Sequence, residues 1–453
     1  MTVGPPWKRI AEFAVPMLLG NIAQQLYNTV DSIVVGKYVG DNALAAVGSS
    51  APILNLLLAL FVGVATGAGI VISQNFGAGD RKALSRSIGN CISLAAIASL
   101  LTMVIGTAIA RPLLELLDTP ISILDWCANY LTIFFLGAAG FTFYNILSGI
   151  LRGLGDSVSA LLFLLVATVL NIFLDLWFVA GLGMGVPGVA LATVLAQGLS
   201  AILCFFKLLR MRDIFDLTPE MFKLRREAAL RIVKIGIPSG LTQGIMAIAM
   251  LVVQSLTNSL GELVIACNVI IMRVDGFAMM PNMTFGQTMS VYTGQNVGAK
   301  RLDRVEMGLK QGGAMAIGFS ASITVILLFF GHILFNFFTD TPELVDLAVR
   351  MMRILAFGYI CIAVTQVLGG IMRGCGDTIT PMWITMFTTV VLRIPVAYGL
   401  AYLTRCPEYP NGRPEALFCS LLVAWTMGAV VSYIVFRRGN WRRKALEITG
   451  GEQ

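Results

Sequence analysis

Asn21, Gln24, Asn28 and Asp31 follow one another at spacings of three, four and three within FAVPMLLGNIAQQLYNTVDSIVVG, residues 13–36, a stretch that is otherwise apolar. On a helix those spacings form a single polar stripe. An ionised Asp inside hydrocarbon costs about 2.5–3.5 kcal/mol on insertion scales, so the stripe must face protein or a wet cavity. The chemistry it offers is uptake of a proton or a cation at Asp31. Pro16, fifteen residues before Asp31, removes a backbone hydrogen bond and tends to bend a membrane helix there. The stretch reads as a bendable helix carrying a titratable or cation-binding group.

The element that positions Asp31 has 24 residues, and at about 1.5 Å rise each they cross the roughly 30 Å of a bilayer core with some tilt. The whole chain has the same character. Only 13% of its 453 residues are charged and 57% are hydrophobic, against about 25% charged in a soluble domain, which makes it a polytopic membrane protein. Twelve apolar spans fall near residues 11–35, 44–73, 87–110, 124–150, 157–180, 186–208, 232–258, 264–294, 309–335, 346–372, 379–402 and 416–437. The first is expected to be retained, since no cleavage-type signal precedes it. The eight Cys have no metal-type spacing and read as small hydrophobes, and the single histidine, His332, argues against a His-based metal site or enzyme.

A net charge of +7 raises nucleic acid as a partner, but its placement points to membrane topology instead. With both termini on one side, that side collects 24 of the 32 Lys and Arg, including the run from Lys207 to Lys234 and the cluster from Arg437 to Lys444. The positive-inside rule then puts both termini in the cytoplasm of a cell membrane. Arg273, Arg353 and Arg393 are left inside spans.

The chain is internally duplicated. RIAEFAVP at Arg9 returns as RIVKIGIP at Arg231, offset by 222. GDNALAA at Gly40, QNFGAGDR at Gln74 and GILRGLGDS at Gly149 return as GELVIAC at Gly261, QNVGAKR at Gln295 and GIMRGCGDT at Gly370, offset by 221. DTP at Asp118 recurs at Asp340. The expected organisation is an N-terminal six-helix bundle (1–210) with the cation site, a basic cytoplasmic linker (211–231), a C-terminal bundle (232–440) and a cytoplasmic tail (441–453). Six spans per copy is an even number, so both copies start from the same side, related by a pseudo-two-fold axis along the membrane normal. The charged turns at 77–81 and 152–156, with counterparts at 298–301 and 373–377, read as structural: Gly for tight turns, Asp and Arg at helix ends.

These motifs resemble the multidrug and toxic compound extrusion family of cation-coupled antiporters: the proline-bearing first helix ending in YNTVDSIVVG, QNFGAG and QNVGA after the second and eighth spans, the doubled GxxRGxGD, and the 6+6 duplication. The resemblance implies an all-α integral membrane protein of twelve transmembrane helices, two bundles around a V-shaped central cleft, and export of cationic, mostly aromatic compounds driven by inward Na⁺ or H⁺. It also implies a cation site of Asp31, Asn171, Asp175 and Thr193, matched in LNIFLD and GVALATVLAQ. The residues agree, because Thr168, Asn171 and Asp175 are spaced three and four and form a second polar stripe. The C-terminal copy has Val252, Leu392 and Val396 at the positions of Asp31, Asn171 and Asp175, and no equivalent site.

Two carboxylates close together in a low-dielectric bundle cannot comfortably both be charged; one takes up a proton, or a cation neutralises them. The alternative is that both are satisfied structural groups. Met246, Met250, Met272, Met279, Met280, Met283 and Met289, with Phe277 and Phe285, suit a promiscuous substrate cavity, and equally suit gap-filling in a packed bundle. Arg273 and Asp275 are assigned to the same region but point to different sides of their helix; their roles and that of Arg393 stay open. The nearest rival is a flippase for lipid-linked precursors, which calls for a cleft rich in Arg and Lys. GxSxG, HExxH and P-loop motifs are missing, so no enzyme, cofactor or structural metal is expected. The expected partners are small cationic or aromatic molecules and the bilayer, with the chain acting as a monomer.

Overall fold

The structure, a computed structural model, describes residues 1–117, 119–216 and 218–450, without the side chains of Ser32, Asp41, Asn42, Leu44, Ala45, Ser49, Ala51, Pro52, Leu56 and Thr449. Asp118, of the repeated DTP, lies outside the described residues. The described residues are mostly helical, with connecting turns: α1 (Pro6–Tyr38), α2 (Asp41–Gly77), α3 (Arg81–Leu101), α4 (Thr107–Leu116), α5 (Ile121–Leu136), α6 (Ala138–Gly153), α7 (Ser157–Asp175), α8 (Val186–Arg210), α9 (Arg226–Ser259), α10 (Glu262–Gly298), α11 (Leu302–Asn336), α12 (Pro342–Ala356), α13 (Gly358–Gly374), α14 (Ile379–Thr385), α15 (Arg393–Leu403), α16 (Glu415–Arg437) and α17 (Asn440–Thr449). Short π-helical segments join α3 to α4 (Thr102–Gly106), extend α7 (Leu176–Gly181) and join α14 to α15 (Met386–Leu392).

Nine stretches among the described residues are long and apolar enough to cross a membrane, and two bent pairs bring the number to eleven: α5 with α6, bent by 52°, and α12 with α13, bent by 43°. α1 completes the twelve; it has 33 residues, and its amide stripe dilutes its apolar character. The order α1 to α8 returns as α9 to α16, with both bent spans in corresponding places.

The repeated turns are built as the spacing predicts. Gly155 (φ +93°) and Gly376 (φ +83°) take left-handed conformations. Asp156 then caps α7, accepting from the Ser159 N–H at 2.9 Å and its hydroxyl at 2.7 Å, and Asp377 does the same for Thr380 at 3.2 and 2.7 Å.

Two compact units emerge, one of Val15–Gly240 and one of Met1–Ala14 with Leu241–Gln453. The division falls inside α1 and α9 rather than at residues 211–231. In the first unit, Ile232 and Ile235 of α9 join a core with Ile70, Ile72, Ile88 and Ile150. α2 and α9 approach so closely that a Cβ on Gly67 would lie 2.6 Å from the Gly236 nitrogen, and one on Gly63 would lie 2.4 Å from the Gly240 Cα. Small residues one turn apart on both helices are what such contact requires. The segment after α8 is tied to α3: the Arg81 guanidinium bonds Asp216 at 2.8 Å and the carbonyls of Asp213 and Arg212 at 2.6 and 2.7 Å. In the second unit, Ile10 and Ala14 of α1 pack with Met289, Tyr292 and Ile371.

Candidate functional site

The site in the first unit is assembled by three helices whose polar faces turn inward. Asn171 and Asp175 are one turn apart on α7, and both are fully buried. The helix passes into its π-helical segment immediately after Asp175, a local irregularity common at functional positions. α1 brings Asp31, half-buried, and α8 brings Thr193, 7% exposed.

The Asp31 and Asp175 carboxyl groups are neighbours, linked through Asn171. The Asn171 amide sits against both. With its nitrogen turned to the acids it donates to Asp31 Oδ1 at 2.9 Å and to Asp175 Oδ2 at 3.2 Å, while its oxygen accepts from the Thr193 N–H at 3.3 Å. Turned the other way, its nitrogen is 3.4 Å from Thr193 Oγ1 and its oxygen faces the two acids. That second orientation opposes oxygens to oxygens, and becomes favourable only with a proton or a cation among them. Asp175 Oδ1 is buried with no hydrogen-bond partner among the described residues. Two like charges about 4 Å apart repel by about 4 kcal/mol at an effective dielectric of about 20.

Two tyrosines complete the site. Tyr27, one turn before Asp31 on α1, is buried within electrostatic range of Asp31, and Tyr130 of α5 is buried within electrostatic range of both acids. The sequence reading passes over them, because a tyrosine in an apolar helix looks like any packing residue; the spacing of Tyr27 from Asp31 is the one signal.

The other expected residues are spread more widely. Pro16 stands inside α1. Asn21 and Gln24 are half-buried and Asn28 is exposed. Met250 and Met272 are exposed, while Met246, Met279, Met280 and Met283 are half-buried. Met289 instead fills the core of the second unit. Arg273 is exposed and Asp275 half-buried. The partner of Asp275 is Tyr359, whose hydroxyl donates to Asp275 Oδ1 at 2.8 Å across 84 positions of sequence. Arg393 lies close to Asp275 with its Nε buried and unpaired among the described residues.

Against known proteins, the MatE family matches residues 16–177 and again residues 238–399, once in each copy of the repeat. The chain is 29% identical to the probable multidrug resistance protein YpnP of Bacillus subtilis (strain 168), covering 98% of each chain. It is 27% identical to the probable multidrug resistance protein YoeA of the same organism, covering 92% of each. Among solved structures, a MATE protein in its straight conformation superposes with a TM-score of 0.89 at 24% identity, covering 99% of this chain and 98% of that one.

Proposed function

The chain belongs to the MatE family of multidrug efflux transporters, and we propose that it is an antiporter exchanging inward H⁺ or Na⁺ for outward cationic, largely aromatic compounds. Members of this family are membrane transporters, not enzymes. The observation that carries the coupling is the convergence of Asp31, Asp175, Asn171 and Thr193 from three helices, with a buried carboxylate oxygen left unsatisfied.

Without a bound cation, the Asn171 nitrogen donates to the charged acids. When H⁺ or Na⁺ arrives, the repulsion between Asp31 and Asp175 is relieved and the amide turns its oxygen inward, so one side chain reads occupancy. The acids then draw together. Because Asp31 rides on α1, the pull is transmitted along a helix softened at Pro16, and the changed bend disfavours retention of the substrate. Ion entry and substrate exit are thereby linked by differential affinity for two states. The partly exposed methionines of α9 and α10 supply adaptable apolar contact for varied aromatic cations.

We place the protein in the cell membrane as a single functional chain with both termini in the cytoplasm, from the asymmetry of its Lys and Arg. The flippase alternative gains nothing from this site, and the matched relatives are named for multidrug resistance. The test is protection of an efflux-deficient bacterium against a cationic aromatic dye. Wild type should raise the inhibitory concentration, and Asp175→Asn, at equal membrane abundance, should not. Equal protection by the two would sink the coupling role of Asp175.

A further inference from the structure

A groove of about 740 Å³ opens in the second unit between α11, α13 and α16, under the edge of α17. Its floor is apolar and made of small residues, Gly313 and Ala314 on α11 facing Ala363 and Val364 on α13, and it reaches inward to Ile317. Its mouth is charged, with Lys310, Arg437 and Arg442 against the single carboxylate of Glu306. The charged end coincides with the start of α11 and the end of α16, the cytoplasmic ends of these helices in the topology proposed above. From Glu306 to Ile317 the groove follows α11 for about 16 Å.

The rim is already organised. Arg442 bonds Glu306 at 2.5 Å, and Lys444, also on α17, bonds Asp377 at 2.7 Å. Trp441 stacks on Phe436 with centroids 4.9 Å apart. With Arg442 neutralising Glu306, Lys310 and Arg437 are exposed and without an ion pair among the described residues. A slot with two spare cations at its mouth and hydrocarbon below has the polarity of an amphiphile standing in a leaflet. Its net positive rim repels the cationic compounds that the antiport reading exports.

We propose that this groove binds an anionic phospholipid, with its net negative headgroup, which unlike that of phosphatidylcholine carries no cation for the basic rim to repel, against Lys310 and Arg437 and one acyl chain along α11 and α13. Each cation next to an anionic headgroup contributes roughly fivefold in affinity, so the two together favour an anionic over a zwitterionic lipid by roughly thirtyfold. The groove lies in the unit without the carboxylate pair, and its occupancy does not depend on the coupling mechanism.

The test is native mass spectrometry of the full chain in detergent, titrated with phosphatidylglycerol, phosphatidylcholine, diacylglycerol or inorganic phosphate. Phosphatidylglycerol should bind at one site roughly thirtyfold more tightly than phosphatidylcholine, and diacylglycerol and free phosphate should bind weakly. Lys310→Gln with Arg437→Gln should reduce phosphatidylglycerol to the phosphatidylcholine level. Gly313→Leu should weaken both lipids, since a side chain there meets only Val367, at 3.9 Å, and fills the slot. Equal affinity for the two lipids, a preference that survives the double substitution, or free phosphate binding as tightly as lipid would overturn the proposal. So would displacement of phosphatidylglycerol by a cationic dye, which would make the groove a substrate route.

Discussion

Asn171→Leu isolates the amide that joins the two acids. Leu has nearly the same shape, so the fully buried position on α7 stays filled while two hydrogen bonds to carboxylates, at 2.9 and 3.2 Å, and the oxygen offered to a cation are lost together. Only the oxygen belongs to the cation-bound state: a polar contact to a charged group contributes about 1.5–3 kcal/mol, and losing about 2.8 kcal/mol there lowers affinity for the coupling cation about a hundredfold, an upper bound because loss of the two N–H bonds weakens the cation-free state as well. At a cation concentration of about 100 times Kd, binding stabilises the wild type by about 2.7 kcal/mol; a hundredfold weaker variant at the same concentration retains about 0.4 kcal/mol. Thermal melting in detergent measures this directly, with Na⁺ varied against choline at constant ionic strength and a parallel pH series. A variant that melts lower but keeps its full cation-dependent rise would refute the role given to Asn171.

Lys300 occupies a left-handed conformation (φ +58°) where the first copy of the repeat has Gly79 (φ +67°); Lys300→Gly should therefore stabilise by roughly 0.5–1 kcal/mol net of its backbone entropy, seen as a higher melting temperature. Gly67→Ala should destabilise by about 1–3 kcal/mol, because its Cβ would meet the α9 backbone at 2.6 Å; an unchanged melt would mean the two helices part without cost. The Arg81 guanidinium holds the Asp216 carboxyl below its ordinary value of 3.8, so the stabilising contact is complete at neutral pH and is lost as pH falls through that depressed value. Hydrogen-exchange protection factors in residues 211–216 and 218–225, each corrected for the intrinsic rate at its pH, should stay constant from about pH 7 to pH 5 and fall only below about pH 4; a fall near pH 6 would assign the tether to other groups.

The repeat made most of the architecture legible. An offset of 221 carries α2 (Asp41–Gly77) onto α10 (Glu262–Gly298), because Gly and Asp at the turns fix where helices stop and start. Asp31 and Asp175 stood out because a carboxylate in an apolar helix is costly enough to need a reason. Tyr27 and Tyr130 did not, since burial of an aromatic needs none. Asp275 and Tyr359 are brought together by packing of α10 on α13, which no local spacing encodes. Nor does hydrophobic periodicity record that the first turns of α1 and α9 each pack outside their own half, because Ile10 and Ile232 look equally apolar from either side.

The coupling claim is tested most directly by dye efflux from proteoliposomes, with a Na⁺ gradient and a pH gradient imposed separately, for wild type and Asp31→Asn. Efflux driven by one of the gradients and abolished in Asp31→Asn is the predicted result, and it names the ion. Gradient-driven efflux that persists in Asp31→Asn would contradict the account.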